Sequence, residues 1–181
     1  LFNLIPFNTD VIEAAKALNN QKGVAHAFAD RFVQPRTEPN DPSFPTHWGL
    51  IKVNVEEVWD ATTGGTTIQG DEIVIAVIDS GFDTDHPDLV NNLWVNKGEI
   101  EGDGIDNDNN GLVDDIHGYN YKFDSPIFTE AGHGTAVCGI IGAEGNNGQF
   151  HAGINWNVKL MIFEVFTFTS VFAAYYFPIS Y

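Results

Sequence analysis

Two apolar runs dominate the hydrophobic pattern of this chain. Residues 73–78 read Ile-Val-Ile-Ala-Val-Ile, with Asp71 and Glu72 before them and Ser80 and Gly81 after. A second run covers residues 158–166. The first is unbroken and largely β-branched, the second apolar apart from Lys159 and Glu164, and stretches of this kind predict strands buried on both faces, the pattern of a parallel sheet. Between them, residues 133–143 predict a slim helix, because Gly134, Thr135, Ala136, Gly139 and Gly142 let its backbone approach a neighbour closely. Each glycine weakens an isolated helix by roughly 1 kcal/mol relative to alanine, so close packing has to compensate. Strand, long loop, helix and strand in that order predict an α/β domain, a parallel β-sheet with flanking helices.

Weaker patterns flank this unit. Asp10 and Glu13 read as a helix start, with Val11, Ile12, Ala15 and Leu18 on one face and Asn19, Asn20 and Gly23 ending it. Pro35, Pro39, Pro42 and Pro45 then predict an extended connector over 34–45, where we place a boundary between residues 1–45 and a main domain at 46–166. Residues 54–60 predict a short helix capped by Asn54, with Val55, Val58 and Trp59 inward and Gly64 and Gly65 as its stop. After Glu164 no charged side chain follows, and residues 167–181 form an atypical aromatic tail of high β-propensity. Premature termination or a frame slip soon after Phe163 would explain so abrupt a change, and an edge strand or partner-binding tail is the other reading.

Composition narrows the partners. Asp and Glu number 25 against 8 Lys and Arg, a formal charge of −17. Nucleic acid and anionic lipid would both be repelled, which leaves cations as the expected company. Residues 165–181 are too short and too interrupted to span a bilayer. The single cysteine, Cys138, rules out an internal disulfide and, with the acidity, suits a secreted protein. The chain starts at Leu1 without a basic, then apolar, leader, so a removed leader or a fragment is expected.

Asp79 is the first polar side chain after the run at 73–78. In open parallel sheets the working residues gather beyond the carboxyl ends of the strands. An unpaired buried carboxylate costs several kcal/mol, so Asp79 calls for an imidazole, a metal or backbone amides, and capping the Ser80–Gly81 turn is the simplest of these roles. His133 stands between Gly132 and Gly134 at a helix start, where the dipole disfavours imidazolium and keeps the ring basic. Asp79 is its candidate partner.

Val77-Ile78-Asp79-Ser80-Gly81, His86-Pro87-Asp88-Leu89 and Gly132-His133-Gly134-Thr135-Ala136-Val137-Cys138-Gly139 together resemble the aspartate and histidine blocks of the subtilisin-like serine proteases. The resemblance covers residues 48–166. It implies a subtilisin-like fold, incomplete at the C-terminus, and a secreted endopeptidase acting on polypeptide substrates. By the same resemblance, 1–45 is the end of a propeptide or a linker. Asp79 would orient His133, and His133 would take the proton of a serine attacking a peptide carbonyl.

That serine's Gly-Thr-Ser block is missing from the sequence, as are the oxyanion-hole asparagine and the substrate-edge Ser-x-Gly segment. Ser43, Ser125, Ser170 and Ser180 lack the required neighbourhood, and Ser80 adjoins the orienting aspartate. The chain as written is therefore expected to cleave nothing at a useful rate. A non-catalytic calcium-binding or peptide-binding remnant is the alternative. Cys138 lies five residues beyond His133, which turns it about 140° away along a helix and makes it a packed thiol.

Glu99, Glu101, Asp103, Asp106, Asp108, Asp114 and Asp115 fall in one stretch without a basic residue. Asp106, Asp108 and Asn110 alternate, and Gly111 stands sixth, where a calcium loop turns sharply. Position twelve is His117 instead of glutamate, so the loop is calcium-loop-like without being an EF-hand. We expect a structural Ca2+ on Asp106, Asp108, Asn110 and the Leu112 carbonyl, closed by Asp114 or Asp115. A solvated acidic face is the plainer reading. The family resemblance implies a similar insertion. His26, His47, His86, His117 and His151 are scattered, and neither His-Glu-x-x-His nor Cys-x-x-Cys occurs, so zinc has little support.

Overall fold

Three parallel strands carry the fold: β1 (Val74–Asp79), β2 (Gly118–Asn120) and β3 (Lys159–Glu164), in the spatial order β1-β3-β2. The computed structural model describes residues 11–27, 37–130 and 132–177. Register pairs Val77 with Ile162, and Glu164 with both Asp79 and Asn120. Because side chains alternate, Val77, Leu160 and Ile162 face one layer while Ile78, Met161, Phe163 and Tyr119 face the other. The architecture is α/β, a parallel sheet flanked by helices.

The first face is covered by α4 (Gly132–Gly142), which adds Cys138 to the core beside Phe82, Leu89 and Leu93. Its small residues matter: a Cβ on Gly142 would stand 2.9 Å from Val158 and 3.1 Å from Leu160. Burial against β3 is what offsets the poor helix propensity of this segment.

On the other face lies α5 (Phe168–Tyr176), built from the tail whose composition predicts extended structure. A reciprocal cap explains the helix. Thr167 accepts from Ser170 N–H, and Ser170 Oγ accepts from Thr167 N–H. Burial then fixes it, with Ala174 fully buried and the Phe177 ring 5.5 Å from Phe163. Residues 178–181 lie outside the described residues.

The two apolar runs differ in depth. Residues 160–164 of β3 are buried throughout, as expected of a central strand. In β1 only Val77 is buried, and Ile73 and Val74 are 37% and 41% exposed, since β1 is an edge strand in this sheet. The unbroken apolar pattern hides that asymmetry.

A third cluster joins Phe44, Leu50, Val55, Trp59, Ala152 and Trp156 around α2 (Trp48–Lys52) and α3 (Val55–Trp59). The second half of the connector expected at 34–45 is thus packed, with Phe44 in this core and Asp41 buried. Asn54 does not cap α3 through its side chain; it takes a left-handed conformation (φ 55°) at the break between α2 and α3. Only one side of so short a helix can be covered, which leaves Val58 51% exposed.

Contacts divide the chain into Leu1–Pro35 and Arg36–Tyr181. The first unit contains α1 (Val11–Asn19), closed by the Asn19 side chain, which bonds both the N–H and the carbonyl of Ala27. Asp10, its expected cap, lies outside the described residues. Among the described residues no helix is long and apolar enough to cross a membrane.

Candidate functional site

Asp79 closes β1, and its Oδ1 accepts the Ser80 N–H at 2.6 Å, so it does cap the following turn. The same oxygen lies 2.6 Å from His133 Nδ1 on α4. Both sequence-derived roles for Asp79 therefore coexist. The aspartate is 16% exposed and the histidine 75%.

What brings the pair together is the docking of α4's first turn on the turn after β1. Gly134 N–H donates to Ser80 O at 3.1 Å, and Asp83 N–H donates to Thr135 Oγ1 at 2.9 Å. Glycine is required at 134, because a Cβ there would meet the Gly81 carbonyl at 2.5 Å and the Phe82 ring at 2.7 Å. From the opposite side, Thr129 O accepts the Phe82 N–H at 2.9 Å.

A carboxylate only accepts, so the bond between Asp79 and His133 places a proton on Nδ1 and leaves the lone pair of the neutral ring on Nε2. An exposed imidazole held in that tautomer can receive a proton from a hydroxyl brought to it. Among the described serines, Ser80 Oγ lies 3.3 Å from Asp79 Oδ1, Ser125 Oγ accepts from Ile127 N–H, Ser170 caps α5, and Ser43 precedes the short turn Phe44–Thr46 without capping it through its side chain. Ser180 lies outside the described residues. Cys138 is 1% exposed, and burial first, then the charge of Asp79, pushes its thiol up to about 12.

Two acids that the motifs do not flag are also organised. Glu164, on the same rung as Asp79, is 1% exposed, accepts from Thr129 N–H at 2.8 Å and Asn120 Nδ2 at 3.0 Å, and pairs with Lys122 at 3.5 Å. It ends its apolar strand as Asp79 does, the one signal that could have found it. Glu99 lies upstream of the calcium-loop spacing, so the template passes it by.

Glu99 staples the acidic loop. Its Oε1 accepts from Asn107 and Asp108 N–H, and its Oε2 from Asp114 N–H. Asp106 accepts from Asn110 and Gly111 N–H, with Gly111 at φ 93° where the spacing calls for a sharp turn. Asn110 Oδ1 in turn accepts from Leu112 N–H. Carboxylate oxygens of Glu99, Asp106 and Asp108 lie within 4.8 Å of one another, a group that does not take in Asp114 or Asp115. Asp115 is fully buried, held by Asn96 and Asn110, and burial raises its carboxyl to about 6 against the opposing effect of those two amides. Asp114 Oδ1 is buried without a hydrogen-bond partner.

A model of the Subtilase family matches residues 70–174, a span that includes Asp79, His133 and most of α5. "Subtilisin-like protease 1" of Plasmodium berghei (strain Anka) is 39% identical over 149 residues, 81% of this chain and 23% of that protein. "Halolysin-like extracellular serine protease Nep" of Natrialba magadii is 35% identical over 117 residues, 65% of this chain and 18% of that protein. The chain thus spans about a fifth of the length of these relatives. A solved structure of a protease from Pseudoalteromonas arctica PAMC 21717 is 26% identical, covering 71% of this chain and 39% of that one at a TM-score of 0.46.

Proposed function

The chain belongs to the subtilase family, and from that premise we propose that Asp79 and His133 are the orienting carboxylate and general base of a serine-type endopeptidase site. The observation that carries this is the 2.6 Å contact between Asp79 Oδ1 and His133 Nδ1. Asp79 holds the ring in the tautomer with Nε2 basic and offsets the imidazolium that forms on proton uptake. In a polypeptide that brings a serine hydroxyl to Nε2, His133 takes its proton as the oxygen attacks a peptide carbonyl, then returns it to the leaving amine.

Among the described residues no serine is hydrogen-bonded to His133, and in this reading the 181 residues alone cleave nothing at a useful rate. Incubating the purified chain with a serine-directed phosphonate and with casein tests this. No label and no turnover are expected, and labelling or cleavage above background would contradict it. The propeptide end or linker expected over 1–45 narrows to residues 1–35 in this reading, because Asp41 and Phe44 are buried in the second unit, and export fits both the extracellular naming of the Natrialba magadii relative and the acidic, cysteine-poor composition.

The acidic loop fits a calcium ion. Glu99, Asp106 and Asp108 converge, and oxygen donors suit a hard cation. Bound calcium would supply positive charge to a loop otherwise held by its own amides. The same cluster favours the second reading, a calcium- or peptide-binding remnant without chemistry. Calorimetric titration with calcium and with a peptide inhibitor separates the two, since binding of both with no catalytic role for His133 in any serine-bearing form of the protein favours the remnant.

A further inference from the structure

We propose that Glu164 is a positioning residue for the Asp79–His133 pair, an inference that rests on the reading of that pair given above. Register sets Asp79, Glu164 and Asn120 on one rung across β1, β3 and β2. Neighbouring strands lie about 4.8 Å apart. Alternation puts this rung on the α4 side of the sheet, as it does Val77 and Ile162 two residues earlier. The C-terminal edge of the sheet thus ends in a polar row in which two carboxylates stand side by side.

A carboxylate that is 1% exposed persists only if it is bonded. Glu164 Oε2 accepts from Thr129 N–H at 2.8 Å and Asn120 Nδ2 at 3.0 Å, and its other oxygen lies 3.5 Å from Lys122 Nζ. Thr129 is the next link. Its carbonyl accepts the Phe82 N–H at 2.9 Å, and Phe82 belongs to the turn that follows Asp79. The same turn gives its Ser80 carbonyl to Gly134 N–H at 3.1 Å. The turn is clasped by α4 on one side and by Thr129 on the other, and Glu164 fixes Thr129 in place. Hydrogen bonds to an ionised acceptor are roughly twice as strong as neutral ones, which suits a clamp that must hold a 2.6 Å contact one strand away.

The test reads the pair itself, without substrate or serine. In water the His133 Nδ1 proton, held by a carboxylate oxygen, gives a far-downfield NMR resonance in the wild-type chain. Glu164→Leu, which removes the acceptor, is expected to abolish or broaden it, while Glu164→Gln, which keeps an oxygen, retains it. Amides of Thr129 and Phe82 exchange about tenfold faster in Glu164→Gln, since a neutral acceptor replaces a charged one. A role in stability alone would lower the unfolding midpoint and leave the resonance untouched, so a folded Glu164→Leu with an unchanged signal overturns the proposal. Should Glu164→Leu not fold, unchanged Thr129 and Phe82 exchange in Glu164→Gln overturns it equally. A wild-type chain without the resonance refutes the pairing of Asp79 with His133 and the inference with it, whereas its presence in wild type and every folded variant refutes only the inference.

Discussion

Cys138 lies on the same helix as His133 and is inert for a reason that can be measured. With its thiol pushed up to about 12 by burial and by the charge of Asp79, almost no thiolate exists at pH 8, and the sulfur is also shielded. A disulfide reagent at that pH should modify the folded chain at least about a hundredfold more slowly than the unfolded one, and equal rates would contradict the burial. His47 provides a second residue-scale test. Burial, then the stacked His151 at 5.0 Å, holds His47 below its ordinary 6.5. The unfolded chain therefore takes up this proton more readily than the folded one. The contribution to stability is complete above about pH 6.5 and falls on acidification until the folded ring also protonates. His47→Phe should flatten the loss of urea midpoint between about pH 7.5 and pH 5. Asp79 and His133 were legible in the sequence because each interrupts a distinctive pattern, an apolar strand or a pair of glycines. Glu164 was not, because a second apolar run continues through it to Phe166 and masks the same kind of interruption.

Among the elements, α4 depends most on what it lacks. Gly134→Ala puts a methyl group against the Gly81 carbonyl and the Phe82 ring, and should cost about 1–3 kcal/mol in urea unfolding while displacing His133 from Asp79. The helix and both long strands could be read from periodicity and composition, since close packing and burial leave those marks. The tail could not. Aromatic and β-branched residues in 166–177 favour strand locally, and the reciprocal cap of Thr167 and Ser170 together with burial of Ala174 and Phe177 overrides that preference. Ser170→Ala removes the half of the cap in which Ser170 Oγ accepts the Thr167 N–H, and should lower stability by about 1 kcal/mol, read from the same denaturant curves. The edge position of β1 was equally hidden, because an apolar run reports hydrophobicity without reporting how many neighbours a strand has.

For the whole molecule, a charge of −17 is a standing source of self-repulsion, concentrated where Glu99, Asp106 and Asp108 converge. Adding millimolar calcium should raise the thermal midpoint by several degrees, and a chelator should reverse the gain. Glu99→Gln should reduce that gain more than Glu101→Gln, since Glu101 stands outside the converging group. The convergence of Asp106 and Asp108 was legible from spacing, yet the full membership of the group was not, because Glu99 joins by folding back and not by sequence interval. All of this positions one pair of side chains, and the most direct check is the tautomer of His133 in the intact chain. Nitrogen-15 NMR of labelled imidazole should find the proton on Nδ1 and the lone pair on Nε2 at neutral pH, with the preference lost in Asp79→Ala. A wild-type ring protonated on Nε2, or one indifferent to the loss of Asp79, would contradict the assignment of this site.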